Sequence, residues 1–214
     1  DVQAGSLSAS GSSPLAAGDS YTRAVNITVP GNSPTGNVFA LFVADNGQAV
    51  TEFGDNTNNV VAVPVEVLIS DLTPTALSAP ASVSWGEQFT VDWTVENAGT
   101  GVADQSWFER IYLTPNQALG DGDDVRLADV GAGAFRPLAA GDDYSNSTSV
   151  TIGEPDPSLT WYIAVLTDAG DVQPESNEAN NFRFFEVDVS APDLTLSSTD
   201  IVAPAAAQLG ETIG

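Results

Sequence analysis

Apolar and polar residues alternate one for one along much of the chain. Phe89, Val91, Trp93 and Val95 are separated by Thr90, Asp92 and Thr94 and followed by Glu96. A period of two marks a strand with one buried and one wet face, because successive side chains project to opposite sides of the pleat. Similar segments near residues 72–78, 107–113, 125–130, 144–152, 160–167 and 182–189 bring the expected strands to seven. Clusters of Gly, Pro, Asn and Asp separate them, at Asn97 to Gly101, Asn116 to Asp124 and Gly153 to Pro157. Such clusters supply the backbone conformations that tight strand connections need. No segment carries the 3.6-residue stripe of a helix.

The chain also repeats itself. Pro14-Leu15-Ala16-Ala17-Gly18-Asp19-Ser20-Tyr21 returns as Pro137-Leu138-Ala139-Ala140-Gly141-Asp142-Asp143-Tyr144, an offset of 123 (137 − 14) with only Ser20 replaced. Asp45 to Glu52 returns at that offset as Asp168 to Glu175, and Asn58-Asn59 returns as Asn180-Asn181 with one residue fewer between. The other half of the unit repeats too: Asp71-Leu72-Thr73 as Asp193-Leu194-Thr195, and Ala79-Pro80 with Gly86-Glu87 as Ala203-Pro204 with Gly210-Glu211. Self-similarity at a fixed period is the mark of repeat architecture. The expected fold is all-β, tandem immunoglobulin-like seven-stranded β-sandwiches with Trp93 in the core. Residues 1–70 would be the C-terminal part of one repeat, 71–192 a complete repeat and 193–214 the start of a third. The junctions at Val65 to Asp71 and Val189 to Asp193 have no Gly/Ser-rich spacer, so consecutive units are expected to join stiffly.

Composition narrows the chemistry. The net charge is −24, and all five basic residues, Arg23, Arg110, Arg126, Arg136 and Arg183, are arginines. Nucleic acid and anionic membrane surfaces need clustered positive charge, so neither is an expected partner. The carboxylate excess repels itself unless salt or bound cations screen it, which suits saline or calcium-bearing surroundings, although it equally serves plain solubility. With no Cys and no His, disulfides, thiolate chemistry and the commonest general base are excluded. No run of about 18 apolar residues suggests insertion in a membrane.

The ordered motifs resemble the CARDB family, the cell-adhesion-related domain found in bacteria. They are Gly86-Glu87-x-x-Thr90-Val91-x-Trp93-Thr94-Val95-x-Asn97-x-Gly99-Thr100-Gly101, then Trp107-x-x-Arg110-Ile111-Tyr112-Leu113, Leu138-Ala139-Ala140-Gly141 and Glu175-Ser176-Asn177-Glu178-x-Asn180-Asn181. The resemblance spans nearly all of residues 71–190. It implies an immunoglobulin-like sandwich, usually repeated in large secreted or cell-surface proteins as a spacer or adhesive module. Fold alone does not settle function. The expected role is a structural or adhesive module of a rod, stalk or filament, with neighbouring repeats or identical chains in a fibre as partners. The alternative is a carbohydrate- or other ligand-binding accessory module that engages surface glycans or proteins. No catalytic residues are expected.

Calcium is the expected ligand, since it takes six to eight oxygens from carboxylates, amides and carbonyls. One candidate set is Asp121, Asp123 and Asp124, whose Asp-x-Asp start resembles half an EF-hand loop without its Gly or distal Glu. The other is Asp168, Asp171, Glu175 and Asn180, with Asn177 and Glu178, in the connection before the last strand. Its counterparts are Asp45, Glu52, Asn56 and Asn58, in a loop where Glu52 to Asn59 departs from the tighter second copy. The competing reading gives Asn and Asp a role in turn geometry alone. Trp85 is the candidate exposed platform for a sugar, whereas Trp107 and Trp161 fall on strands and are expected to pack. The sequons Asn26-Ile27-Thr28 and Asn146-Ser147-Thr148 are expected chance occurrences.

Overall fold

The computed structural model describes residues 1–12, 14–52, 56–154, 156, 158–191, 195–197, 206–210 and 212. They fall into two compact units, Asp1–Ile69 and Ser70–Gly214. In the first, β1 (Gly36–Val43) and β2 (Val60–Val67) form an antiparallel hairpin with pairs running from Gly36↔Val67 to Val43↔Val60. Phe39, Leu41, Phe42, Val61 and Val63 on this hairpin are exposed. Pro14 to Tyr21 repeats the residues that lead into a strand of the second unit, yet the described residues from 14 to 35 form no strand.

The second unit is a β-sandwich. Its strands are β3 (Leu72–Ser78), β4 (Ser82–Ser84), β5 (Gln88–Asn97), β6 (Phe108–Thr114), β7 (Val125–Gly131), β8 (Asp143–Thr151), β9 (Trp161–Leu166) and β10 (Phe182–Ser190). One sheet has the order β4-β10-β9-β6-β7 and the other β3-β5-β8. Only β4 against β10 is parallel; the other pairings are antiparallel. All seven expected strands are present. The eighth, β4, escaped the sequence because three residues are too few to show an alternation. Pro74 lies on edge strand β3 beside a register shift, where its missing N–H interrupts no central ladder.

Alternation becomes packing most clearly in β5, where Phe89, Val91, Trp93, Val95 and Asn97 are all buried and Gln88, Thr90 and Asp92 are exposed. Trp93 is 1% exposed and packs in one core with Leu72, Trp107, Ile111, Ile163 and Val165. Trp107 and Trp161 are buried as expected, while Trp85 is half-buried rather than an exposed platform. Asn97 closes the row without orphan atoms. Its Oδ1 accepts from the amides of Asp71 (3.1 Å) and Gly99 (3.2 Å), and its Nδ2 donates to the carbonyls of Gly101 (2.8 Å) and Leu138 (3.0 Å). On the surface, Asp129 accepts a bidentate pair from Arg110 at 2.7 and 3.0 Å and a third contact from Arg126 at 2.8 Å. Of residues 193–214, the described ones carry no strand, and the repeated Asp193-Leu194, Ala203-Pro204 and Glu211 lie outside the described residues.

Candidate functional sites

The β6–β7 connection gathers Asp121, Asp123 and Asp124, with one carboxylate oxygen from each within 4.8 Å of the others. Asn116 organises them: its Nδ2 donates to Asp121 at 2.9 Å and to Asp123 at 3.2 Å, and its Oδ1 accepts from the Ala118 amide at 2.7 Å. Asp121 and Asp123 are close enough to share a proton, which holds Asp121 low and raises Asp123. Asp124 accepts from the Gly120 amide through Oδ2 at 2.6 Å, leaving Oδ1 buried without a partner. Three carboxylates this close carry a repulsion that a divalent cation would relieve.

The β9–β10 connection disperses the other candidates. Asp168 is almost fully buried, and its carboxylate is committed to its own loop, accepting from the amides of Val172 (3.0 Å) and Gln173 (2.7 Å). Asp168 and Asp171 have positive φ of 44° and 50°, a left-handed conformation that Asp tolerates better than most residues. Asn180 turns away, its Nδ2 donating to Asp71 (3.0 Å) and to the Thr73 hydroxyl (2.8 Å). Asp171 and Glu178 instead line an open cavity of about 260 Å³ with Asp168, Thr167 and Asn181. Burial pushes the Glu175 carboxyl up to about 8, reinforced by the charges of Glu178 and Asp168. Both Glu175 carboxylate oxygens are buried without a hydrogen-bond partner.

The first unit's hairpin repeats the opening turn and the closing bond of this connection. Asp45 and Gln48 have φ of 44° and 51°, and Asp45 accepts from the amides of Ala49 and Val50 at 2.9 Å each. The Ala44 amide bonds the Asn59 carbonyl (2.8 Å) as Thr167 bonds Asn181 (2.7 Å). Val43↔Val60 and Leu166↔Phe182 close the two hairpins in one register.

A further polar group lies in the core. Glu109 on β6 is fully buried, accepting from the Tyr144 hydroxyl and from the Trp107 indole N–H at 3.1 Å, with its second oxygen unpartnered. Burial lifts its carboxyl to about 7 against the opposing hydrogen bond from Tyr144, and the same burial with the Glu109 charge raises the Tyr144 hydroxyl. Glu109 falls at an unspecified position of the Trp107 to Leu113 motif, although its place two residues before Ile111 and four before Leu113 puts it on the inward row. Thr167 carried no sequence signal, since a lone Thr after a strand is commonplace.

Comparison with known proteins matches residues 69–184 to the CARDB family model. No curated protein sequence matches. Among solved structures, the CARDB domain of a Pyrococcus furiosus protein, crystallised in complex with di-metal ions, is 20% identical; the match covers 58% of this chain and 96% of that one, with a TM-score of 0.42. A domain assigned to a cell surface protein of Methanosarcina acetivorans is 21% identical over 57% of this chain and 93% of that one, at a TM-score of 0.39. A beta-glucosidase from Listeria innocua is 17% identical over 68% of this chain and 20% of that one, at 0.35. These likenesses concern the fold.

Proposed function

Because the chain belongs to the CARDB family, we propose that it is a structural or adhesive module of a large secreted or cell-surface protein. In this reading β-sandwich repeats follow one another along the chain, with residues 71–192 as one complete repeat and residues 1–70 and 193–214 as parts of its neighbours. The observation that carries it is the recurrence of one hairpin register in β1–β2 and β9–β10, together with the same left-handed turn at Asp45 and Asp168, 123 residues apart. Only residues 68–71 separate β2 from β3, too short a junction for a flexible linker.

The partners are neighbouring repeats or identical chains, assembled as a rod, stalk or filament. β5 has ten residues, about 34 Å at about 3.4 Å per residue, so each repeat should advance a rod by about 35–45 Å. Small-angle scattering on three or more complete repeats tests this: a cross-section of one sandwich and a length growing by that step supports the rod. A compact particle, or freely jointed beads, refutes it.

Calcium at Asp121, Asp123 and Asp124 belongs to the same proposal, as the ion that would relieve the repulsion in the β6–β7 connection. The saline, calcium-bearing exterior suits a chain of net charge −24. Among the described residues no helix is long and apolar enough to cross a membrane.

A further inference from the structure

Thr167 and Asn181 stand on opposite sides of the β9–β10 connection, joined by the bond from the Thr167 amide to the Asn181 carbonyl at 2.7 Å. Thr167 is 0% exposed and Asn181 4%, yet Thr167 Oγ1 and Asn181 Oδ1 have no hydrogen-bond partner. The orientation of the Asn181 amide is set by its nitrogen, which donates to Glu178 at 3.3 Å and leaves the oxygen as the free end. Buried acceptors without donors are rare in folded proteins because each has given up water for nothing. Both residues line the same cavity, whose wall also carries Asp171 and Glu178, both exposed.

The turn itself does not need these groups. In the first unit Asp45 builds the same left-handed loop with the same two amide bonds, while Ala44 and Gln48 stand where the second has Thr167 and Asp171. Turn geometry therefore accounts for Asp168 and leaves the Thr167 hydroxyl and the Asp171 carboxylate unexplained. Two orphaned neutral oxygens, on buried residues that line a cavity shared with two exposed carboxylates, form a donor set made only of oxygen. That is the chemistry of a hard divalent cation of the calcium class, which completes its shell with water.

We infer that the β9–β10 connection binds a divalent cation of this class through Thr167 Oγ1, Asn181 Oδ1 and the carboxylates of Asp171 and Glu178. Asp168 is a positioning residue that holds the loop in shape. The site is distinct from the Asp121 loop and stands whether or not the repeats assemble into a rod. The first unit, lacking the hydroxyl and the Asp171 carboxylate, binds the ion more weakly.

The test is a calcium titration of the full chain after dialysis against chelator, followed by calorimetry and by the NMR signals of the Thr167 methyl and the Asn181 side-chain amide. Both signals should shift with a single dissociation constant, of about 0.1–1 mM for an extracellular module. Thr167→Val and Asp171→Asn should each weaken that binding by about tenfold or more, while Asp123→Asn leaves it unchanged. With chelator present, Thr167→Val should melt no lower than the parent, because the hydroxyl it removes has no partner. The inference is overturned if calcium moves neither signal, if sodium chloride at matched ionic strength moves them equally, or if both Thr167→Val and Asp171→Asn bind as the parent does.

Discussion

Tyr144 donates its hydroxyl hydrogen to Glu109 inside the sandwich, tying β8 of one sheet to β6 of the other through an acid with no access to water. Glu109 has a folded pKa of about 7 against an ordinary value of 4.5, so the folded state holds the proton more tightly than the unfolded one. Its contribution to stability is complete below about pH 4.5 and is lost as the pH rises through about 7, an interval worth roughly 3 kcal/mol. Glu109→Gln, which keeps an acceptor for Tyr144 and Trp107 and cannot ionise, should flatten this part of the profile. Thermal melts of both proteins from about pH 4.5 to 8.5 should therefore diverge in favour of the variant toward the alkaline end.

Trp93→Ala should cost about 3–5 kcal/mol, because the ring is buried in the core and its removal loses that burial and leaves a cavity. Denaturant unfolding of the second unit measures it, and an unchanged midpoint would show that the ring is not part of the core.

Asn97→Asp should destabilise by about 2–4 kcal/mol, since the carboxylate keeps the Asp71 and Gly99 amides but turns an acceptor toward the carbonyls of Gly101 and Leu138. Urea unfolding at neutral pH is the measurement. The loss should shrink as the pH falls and the new acid takes up a proton.

Calcium held at about ten times its dissociation constant should add about 1.4 kcal/mol for each site filled. Asp123→Asn should remove the share owed to the Asp121 loop, as read by scanning calorimetry with and without chelator. Equal stabilisation by monovalent salt would mean that the carboxylates are only being screened.

The sandwich was legible because its strands are long enough to alternate: β5 shows five inward residues in ten. β4 was not, having three residues and a parallel partner a hundred positions away. The acidic loops were legible as clusters of carboxylates, but not the division of labour within them. Whether Asp168 faces an ion or its own backbone depends on a left-handed turn, and Asn180 differs from Asn181 only in which way a strand entry points. The Thr167 hydroxyl matters for what surrounds it, and a linear sequence does not record surroundings.

The shared register of β1–β2 and β9–β10 has a consequence at the level of the gene. Crossing over between the two stretches of DNA, at matching points within the hairpins, would join the first strand of one to the second strand of the other with every cross-strand partner still opposite its neighbour. The one-residue difference falls in the connection, where an insertion leaves the ladder intact. Such exchange would lengthen or shorten the coding sequence by one period at a time and, in the rod proposed above, would change its length by one repeat without any new contact having to evolve.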